Sequence, residues 1–389
     1  MAAFPDYNSA LLDRLDAQGA AILRVFASKS YARVEPPILQ PAELFLDRSG
    51  EEIRRRTYVL TDPTGEELCL RPDLTIPVCR MHLKHGARFP ARLCYHGPAF
   101  RLQPNEPQRP SQFLQTGVEC LGVAKRETAD IEVLGLAVEG VRSAGLEDFS
   151  VQVGDLGLFA GLVDALEIPA QWRGRLKRHF WRPDYFRELL ARLSNGASVP
   201  GESYLAHLGT AEEGEARAAL SGLMELLTGA SHNSALGGRT REEIVERLME
   251  QAAEAASLRL DKKSVALIEQ VLSVSGPAER SLGAIRAHMK KHRIALDAPL
   301  RLMESRIASL AKLGLFGKRV NFAARFGRNM EYYTGFVFEL WARDKEGPVQ
   351  VAGGGRYDTL LKTLGAAKEI PAVGCAIRDE RVLAARDAL

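Results

Sequence analysis

The stretch from Phe100 to Gly122, FRLQPNEPQRPSQFLQTGVECLG, decides the fold. It reads as the end of one strand, an irregular loop and a second strand. Pro104, Pro107 and Pro110 follow too closely for a helix or a central strand, because proline fixes φ and has no amide proton to give. The strand after the loop carries Gln112, Phe113, Leu114, Gln115, Val118, Glu119, Cys120 and Leu121. Gln115 and Glu119 are four residues apart, so they leave a strand on the same face. Polar groups among the inward residues of an apolar strand need partners. Neighbouring strands could supply them, and so could a bound small polar molecule.

Working outward, Ala91 to Phe100 is a strand leading into the loop. Before it, Arg71-Pro72-Asp73-Leu74-Thr75 sets a carboxylate and a hydroxyl at the entry to a helix, Ile76 to Lys84. Both are ordinary helix-capping groups. Thr57 to Leu60 and Leu68 to Leu70 form a hairpin around Asp62 to Gly65. Tyr31 to Gln40 is held extended by Pro36 and Pro37, and Pro41 to Phe45 starts a short helix. Asn8 to Ser30 is an amphipathic helix with Leu12, Leu15, Ile22, Val25 and Phe26 on one side.

Downstream, Glu127 to Ala144 is a helix ended by Gly145, and Phe149 to Val153 is a strand. Leu156 to Gly314 reads as almost wholly helical. Phe186, Leu189, Leu190 and Leu193 recur at helical spacing before Asn195-Gly196, Thr240 with Glu243 makes a capping box, and Pro277 opens a helix near its first turn. The basic run Arg173 to Arg187 is a helix pair with a solvated face, or an RNA surface. Strands return at Arg319 to Arg328, Gly335 to Ala342 and Val349 to Ala352. Arg328, Glu331, Tyr332 and Tyr333 gather cation, carboxylate and aromatic walls at one turn. Gly353-Gly354-Gly355-Arg356 lacks the Lys-Ser/Thr of a phosphate loop, and its glycines mean close backbone approach or a sharp bend. Asp379 to Ala388 is the final helix. Strands on both sides of a helical block predict an α+β fold: one antiparallel sheet domain with a helical insertion, not a doubly wound sheet. The expected divisions are 1–155, 156–315 and 316–389.

The chain's 389 residues suffice for two or three domains. A net charge of +3 gives no electrostatic case for a dedicated nucleic-acid binder. Five scattered cysteines without a CxxC spacing argue against zinc and disulfides and fit a reducing cytoplasm. No apolar run reaches membrane-span length, and no export signal opens the chain.

Five of these stretches, in this order, resemble the motifs of the histidyl-tRNA synthetase family, a class II aminoacyl-tRNA synthetase, and its paralogues. RPDLT resembles RPEGT, and FRLQPNEPQRPSQFLQTGVE resembles FRxERPQxGRxRxFxQxxxE. RNMEYYTGFVFE resembles the histidine-specific RGLDYYxxTVFE. AGGGRYDTL and PAVGCAIRDERV resemble AGGRYDGL and PAVGFAxGxERL. The resemblance implies a class II core, normally dimeric: an antiparallel sheet flanked by helices, with a helical insertion. It implies a histidine pocket in which Asp73, Thr75 and Gln115 take the α-ammonium, Arg328 the carboxylate, and Glu119, Tyr333 and Tyr357 the imidazole. Asp73 stands where the family has Glu, and Glu331 where it has Asp.

The nucleotide site departs from the pattern. Arg101 and Arg381 stand at the family's phosphate-holding arginines, and Arg109, in the loop that follows Arg101, is grouped with them in a vestigial nucleotide site. But Gln103 replaces the glutamate that contacts adenine, Ser111 replaces a loop arginine, and Arg378 replaces a glycine whose backbone faces the nucleotide. Only eight residues follow Arg381, so the anticodon-binding domain is expected to be missing. The resemblance therefore implies a non-catalytic paralogue without cofactor or metal. It implies a hetero-oligomer with a short ATP phosphoribosyltransferase catalytic subunit, a homodimer of this chain within it, and histidine as feedback effector. A truncated synthetase that adenylates histidine is the alternative, kept open by Arg101, Arg109, Arg328 and Arg381. A tRNA-binding module is a third reading, against which the near-neutral charge weighs.

Overall fold

The computed structural model describes residues 6–46, 51–103, 110–180, 183–195, 208, 211–228, 241–256, 260–327 and 332–388. Pro104, Pro107, Arg109, Gly196, Thr240 and Arg328 to Glu331 lie outside them. The strands are β1 (Ala32–Arg33), β2 (Leu39–Pro41), β3 (Val59–Thr61), β4 (Glu67–Leu70), β5 (Ala91–Phe100), β6 (Gln112–Leu121), β7 (Ser150–Asp155), β8 (Ser275–Pro277), β9 (Val320–Ala323), β10 (Phe336–Asp344), β11 (Gly347–Arg356) and β12 (Ala372–Arg378).

Nine of them form one sheet in the order β1-β5-β6-β12-β11-β10-β7-β9-β8, and β2-β4-β3 form a small second sheet. From β5 to β7 every pairing is antiparallel. The margins are not: β1 runs parallel to β5 and β7 parallel to β9. The sheet is therefore mixed, with the expected antiparallel strands at its centre. The helical stretch Leu156 to Gly314 is also broken, because β8 lies inside it and pairs with β9 beyond its end. Three residues are too few to show a period of two, and Pro277 is tolerated because β8 is the edge strand. Pro277 then serves as N-cap of the helix Ala278–His292 rather than its first residue.

One face of the sheet is covered by the helices Ser9–Ser28, Arg126–Ser143 and Asp379–Arg386. Asn8 starts the first, its Oδ1 accepting from Leu11 N at 2.9 Å, a cap worth about 1 kcal/mol. Val133, Leu134, Ala137, Val138 and Val141 of the second are fully buried. Gly140 lets it close on the sheet, since a Cβ there would meet Ile377 at 2.9 Å and Ile22 at 3.2 Å. A buried charge network ties helices to strand ends. Asp130 accepts from Arg306 at 2.5 Å and Arg356 at 2.6 Å, Arg306 reaches Asp155 at 2.6 Å, and Arg356 reaches Asp358 at 2.7 Å.

The other face carries the functional core. Phe45, Leu74, Ile76, Val78, Tyr95, Phe113, Tyr332, Tyr333, Tyr357 and Leu361 form one buried cluster there. Arg71, 1% exposed, pins the RPDLT turn to it by donating to Pro98 O at 2.8 Å and to Pro36 O.

The chain divides into two compact units: Met1–Pro183 with Leu267–Leu389, and Asp184–Ala266. In the second unit the helices Glu213–Thr228 and Arg241–Ala256 bury Ala216, Leu220, Met224, Val245 and Ala252 against one another. The helix Pro183–Asn195 buries Phe186, Leu189 and Leu190, as their spacing predicts. The basic run from Arg173 falls on two helices, Ala170–His179 and Pro183–Asn195.

Candidate functional site

The site is built on β6, β12 and β11. Gln115 pairs with Arg378, Gly117 with Ala376 and Glu119 with Gly374 across β6 and β12, and Gly374 pairs with Gly355 on β11. Small residues thus surround two polar ones on this face of the sheet, and the missing side chains leave a hollow. The need for glycine is geometric: a Cβ on Gly374 would lie 1.8 Å from Glu119 Oε2, and one on Gly355 would lie 2.9 Å from Tyr333. The three glycines of β11 continue the strand instead of bending it, and at Gly354 and Gly355 the close approach of neighbouring strands leaves no room for a larger residue.

The resulting cleft is narrow, about 30 Å³ in volume, and is lined by Asp73, Thr75, Arg101, Gln115, Tyr332, Tyr333, Gln350, Gly353, Tyr357, Gly374, Cys375, Ala376 and Arg378. Five of the seven residues expected to hold histidine are on that lining: Asp73, Thr75, Gln115, Tyr333 and Tyr357. Glu119 lies beneath them, fully buried. Its Oε2 accepts from the Tyr357 hydroxyl and its Oε1 from the Tyr95 hydroxyl at 3.2 Å. Burial pushes the Glu119 carboxyl up to about 8, and hydrogen bonds from Tyr357, Thr75 and Tyr95 offset only part of that rise. Arg328 and Glu331 lie outside the described residues.

Asp73 is a helix cap and more. Its Oδ1 accepts from Ile76 N at 3.2 Å, but its Oδ2 is buried with no partner among the described residues. Gln115 Oε1 is buried in the same condition. Both residues are 3% exposed. Burial raises the Asp73 carboxyl above the usual carboxylate range, while Arg101 and Arg378 pull it back. An orphaned buried acceptor costs about 1–3 kcal/mol, so a ligand that donates to both would be favoured here. An α-ammonium, with three N–H groups and a positive charge, fits both.

Tyr95 escaped the sequence reading. It sits opposite Gly117 in the β5–β6 register, and its hydroxyl occupies the space where a Gly117 Cβ would be. Its alternation with Leu93 and Gly97 on one face of β5 was the available signal.

Next to this cleft is a wider one of about 370 Å³, lined by Gln103, Pro110, Phe113, Asp344, Glu346, Gly347, Pro348, Val349, Arg378, Glu380, Arg381 and Ala384. Here the expected nucleotide-site residues Gln103, Arg378 and Arg381 come together; Arg101 faces the first cleft, and Arg109 lies outside the described residues. Arg378 Cζ lies 4.1 Å from the centre of the Phe113 ring, a cation–π contact. Arg381 donates to Gln350 O at 3.1 Å, and Gln103 accepts from Arg56. Ser111 is buried on the β5–β6 connection, where its carbonyl accepts from Arg101 N at 2.7 Å. Among the described residues there is no cluster of metal-ligating side chains, and no helix is long and apolar enough to cross a membrane.

A central antiparallel array with a small polar cleft on one face and a wider one beside it fits a histidyl-tRNA synthetase-like protein with the class II fold. The family model for histidyl-tRNA synthetase matches residues 4–221 and 218–382. A solved ATP phosphoribosyltransferase regulatory subunit/histidyl-tRNA synthetase from Bacillus halodurans superposes with a TM-score of 0.67 at 22% identity, over 100% of this chain and 82% of that one. A histidine–tRNA ligase subunit from Alicyclobacillus acidocaldarius gives 0.58 at 26% identity, over 100% and 98%. The chain is 37% identical to the ATP phosphoribosyltransferase regulatory subunit of Sinorhizobium fredii, over 96% of this chain and 98% of that protein. The protein of that name from Rhizobium meliloti is also 37% identical, over 95% and 97%. The chain belongs to the family of ATP phosphoribosyltransferase regulatory subunits, paralogues of histidyl-tRNA synthetase.

Proposed function

We propose that this chain is a non-catalytic sensor that activates a short ATP phosphoribosyltransferase catalytic subunit and carries feedback by histidine. The observation that carries the sensing half is the pair of buried acceptors with no partner among the described residues, Asp73 Oδ2 and Gln115 Oε1, above a floor made by Glu119 and Tyr357. The ammonium of histidine satisfies the first pair, and its ring nitrogens meet the second. Arg328 belongs at the carboxylate end on the strength of its motif. The name shared by the relatives supports the partner.

The mechanism is linkage. Histidine binds more tightly to one arrangement of the hetero-oligomer and draws the population towards it. If that arrangement is the less active one, a coupling of about 1–3 kcal/mol gives roughly 5–150-fold control. The test is to add the chain to a short-form ATP phosphoribosyltransferase and follow turnover with and without histidine. Turnover should rise with the chain and fall again with histidine. A catalytic subunit indifferent to the chain would sink the reading.

A second reading, adenylation of histidine, is favoured by Arg378 and Arg381 on the adjoining cleft. It predicts histidine-dependent exchange of pyrophosphate into ATP. Tight histidine binding without exchange leaves the sensor.

A further inference from the structure

We propose that Arg356 and Asp358, anchored on Asp130, are positioning residues for recognition of the ring: they fix the Tyr357 hydroxyl on Glu119 and so set the affinity of the pocket for histidine. The proposal rests on reading the pocket as a histidine site. The motif gives Tyr357 to the imidazole and assigns Arg356, Asp358 and Asp130 no part in it.

The placement follows from alternation along the chain. Tyr357 turns to the cleft, where its hydroxyl donates to Glu119. Its two chain neighbours turn towards the helix Arg126–Ser143 and meet there, Arg356 Nη1 donating to Asp358 Oδ1 at 2.7 Å. β11 reaches this point through Gly353, Gly354 and Gly355, which offer no side chains to set the backbone. The residues on either side of the tyrosine set it instead. Arg356 gives Nε and Nη2 to Asp130 Oδ1 at 2.9 and 2.6 Å, and Nη2 also to Arg126 O at 2.8 Å. Asp358 Oδ1 accepts from Ala372 N at 3.0 Å, and its Oδ2 pairs with Arg126 Nε at 3.0 Å. The Asp358 amide donates to Thr334 Oγ1 at 3.0 Å, and Tyr357 N donates to Ala372 O at 2.8 Å.

Asp130 is fully buried and is held in its turn. Its Oδ2 accepts from Arg306 on the helix Asp297–Lys312, and Arg306 Nη1 reaches Asp155 Oδ2 at 2.6 Å. Apolar residues of the same volume would hold helix and strand together at least as well, because buried ion pairs lose much of their attraction to desolvation. What an apolar contact lacks is direction. A guanidinium with fixed N–H vectors on a carboxylate sets the angle of the chain that carries it. The Tyr357 phenol must place its hydrogen on one oxygen of Glu119, and a small rotation of the backbone is magnified along the length of the ring.

The test is a double-mutant cycle on the full chain, read by calorimetry with histidine, with a thermal melt of each variant to check its folding. Tyr357→Phe removes the hydroxyl and should weaken histidine by about 10-fold. Asp130→Asn removes the charge that anchors Arg356. It should weaken histidine by about 5- to 10-fold in the wild-type background and by less than about 2-fold in the Tyr357→Phe background, because a device that acts through the hydroxyl then has nothing left to position. Equal loss in both backgrounds, or no loss in either, overturns the proposal while the pocket stands. A wild type that binds no histidine overturns the pocket and the proposal with it. Should Asp130→Asn fail to fold, Asp358→Asn, at the less deeply buried end of the network, runs the same cycle, and equal losses are again fatal.

Discussion

The two clefts that share Arg378 are built in opposite ways. The smaller has a floor of fully buried groups, and two of its acceptors have no partner among the described residues. The acids of the larger one are already engaged. Glu380 accepts from Leu114 N at 2.8 Å and from the Tyr7 hydroxyl at 2.7 Å, and Asp344 Oδ1 holds its own turn through Glu346 N and Gly347 N. With Glu346, three carboxylates line this cleft beside Arg378 and Arg381, so it carries both signs of charge. Size alone would favour the larger cleft as the site. Unsatisfied burial favours the smaller one, because a fold keeps such a cost only where something else removes it.

The sharpest way to break this contrast is to remove the floor of one cleft and a wall of the other. Glu119→Ala takes the carboxylate from under the ring and leaves Tyr95 and Tyr357 hydroxyls without their acceptor. Histidine binding should fall by about 100-fold or more, since lost charged hydrogen bonds cost roughly 1.5–3 kcal/mol each. Gln103→Ala, in the larger cleft, should stay within about 2-fold. Calorimetric titration of both variants checks it. Comparable losses would mean that the clefts act as one site.

Gly374→Ala is a smaller change with a definite geometry. Ala376, two residues on, shows that β12 accepts a Cβ on this face. At Gly374 the added carbon would fall 1.8 Å from Glu119 Oε2, so the carboxyl must move. Overpacking of this kind costs about 1–3 kcal/mol, which should appear as a roughly 5- to 100-fold loss in histidine affinity. Unchanged affinity would show that the position of the Glu119 carboxyl does not matter to the ligand.

How much of this the sequence tells depends on distance along the chain. Asp73 and Thr75 were legible because a turn and a helix start place them within five residues, and Gln115 with Glu119 because a strand alternates. The glycines of β11 were legible as crowded, but not as the wall beside Glu119. That follows from a three-strand register joining residues 119, 374 and 355, and no local pattern encodes it. Tyr95 was missed for the same reason: its partner Gly117 is set by the β5–β6 pairing. The short β8 and the parallel pairings at the sheet margins were invisible because two- to four-residue strands carry no periodicity.

The smallest effect concerns protons. Burial holds Glu119 protonated up to a pH of about 8. A free imidazole loses its proton near pH ~6.5. Between those values acid and ring bring one proton between them, and the bound pair shares it. Below about 6.5 both are protonated and one proton must leave on binding; above the Glu119 value neither is, and one must be taken up. Affinity should therefore be flat across the window and fall by up to about tenfold per pH unit on either side. Glu119→Gln removes the alkaline limb and keeps the acid one. The ligand's own ammonium titrates in both proteins, so the difference between the two curves is the readout. Superimposable profiles from pH 5.5 to 9.5 would mean that Glu119 shares no proton with the ring, and the smaller cleft would lose its claim to read an imidazole.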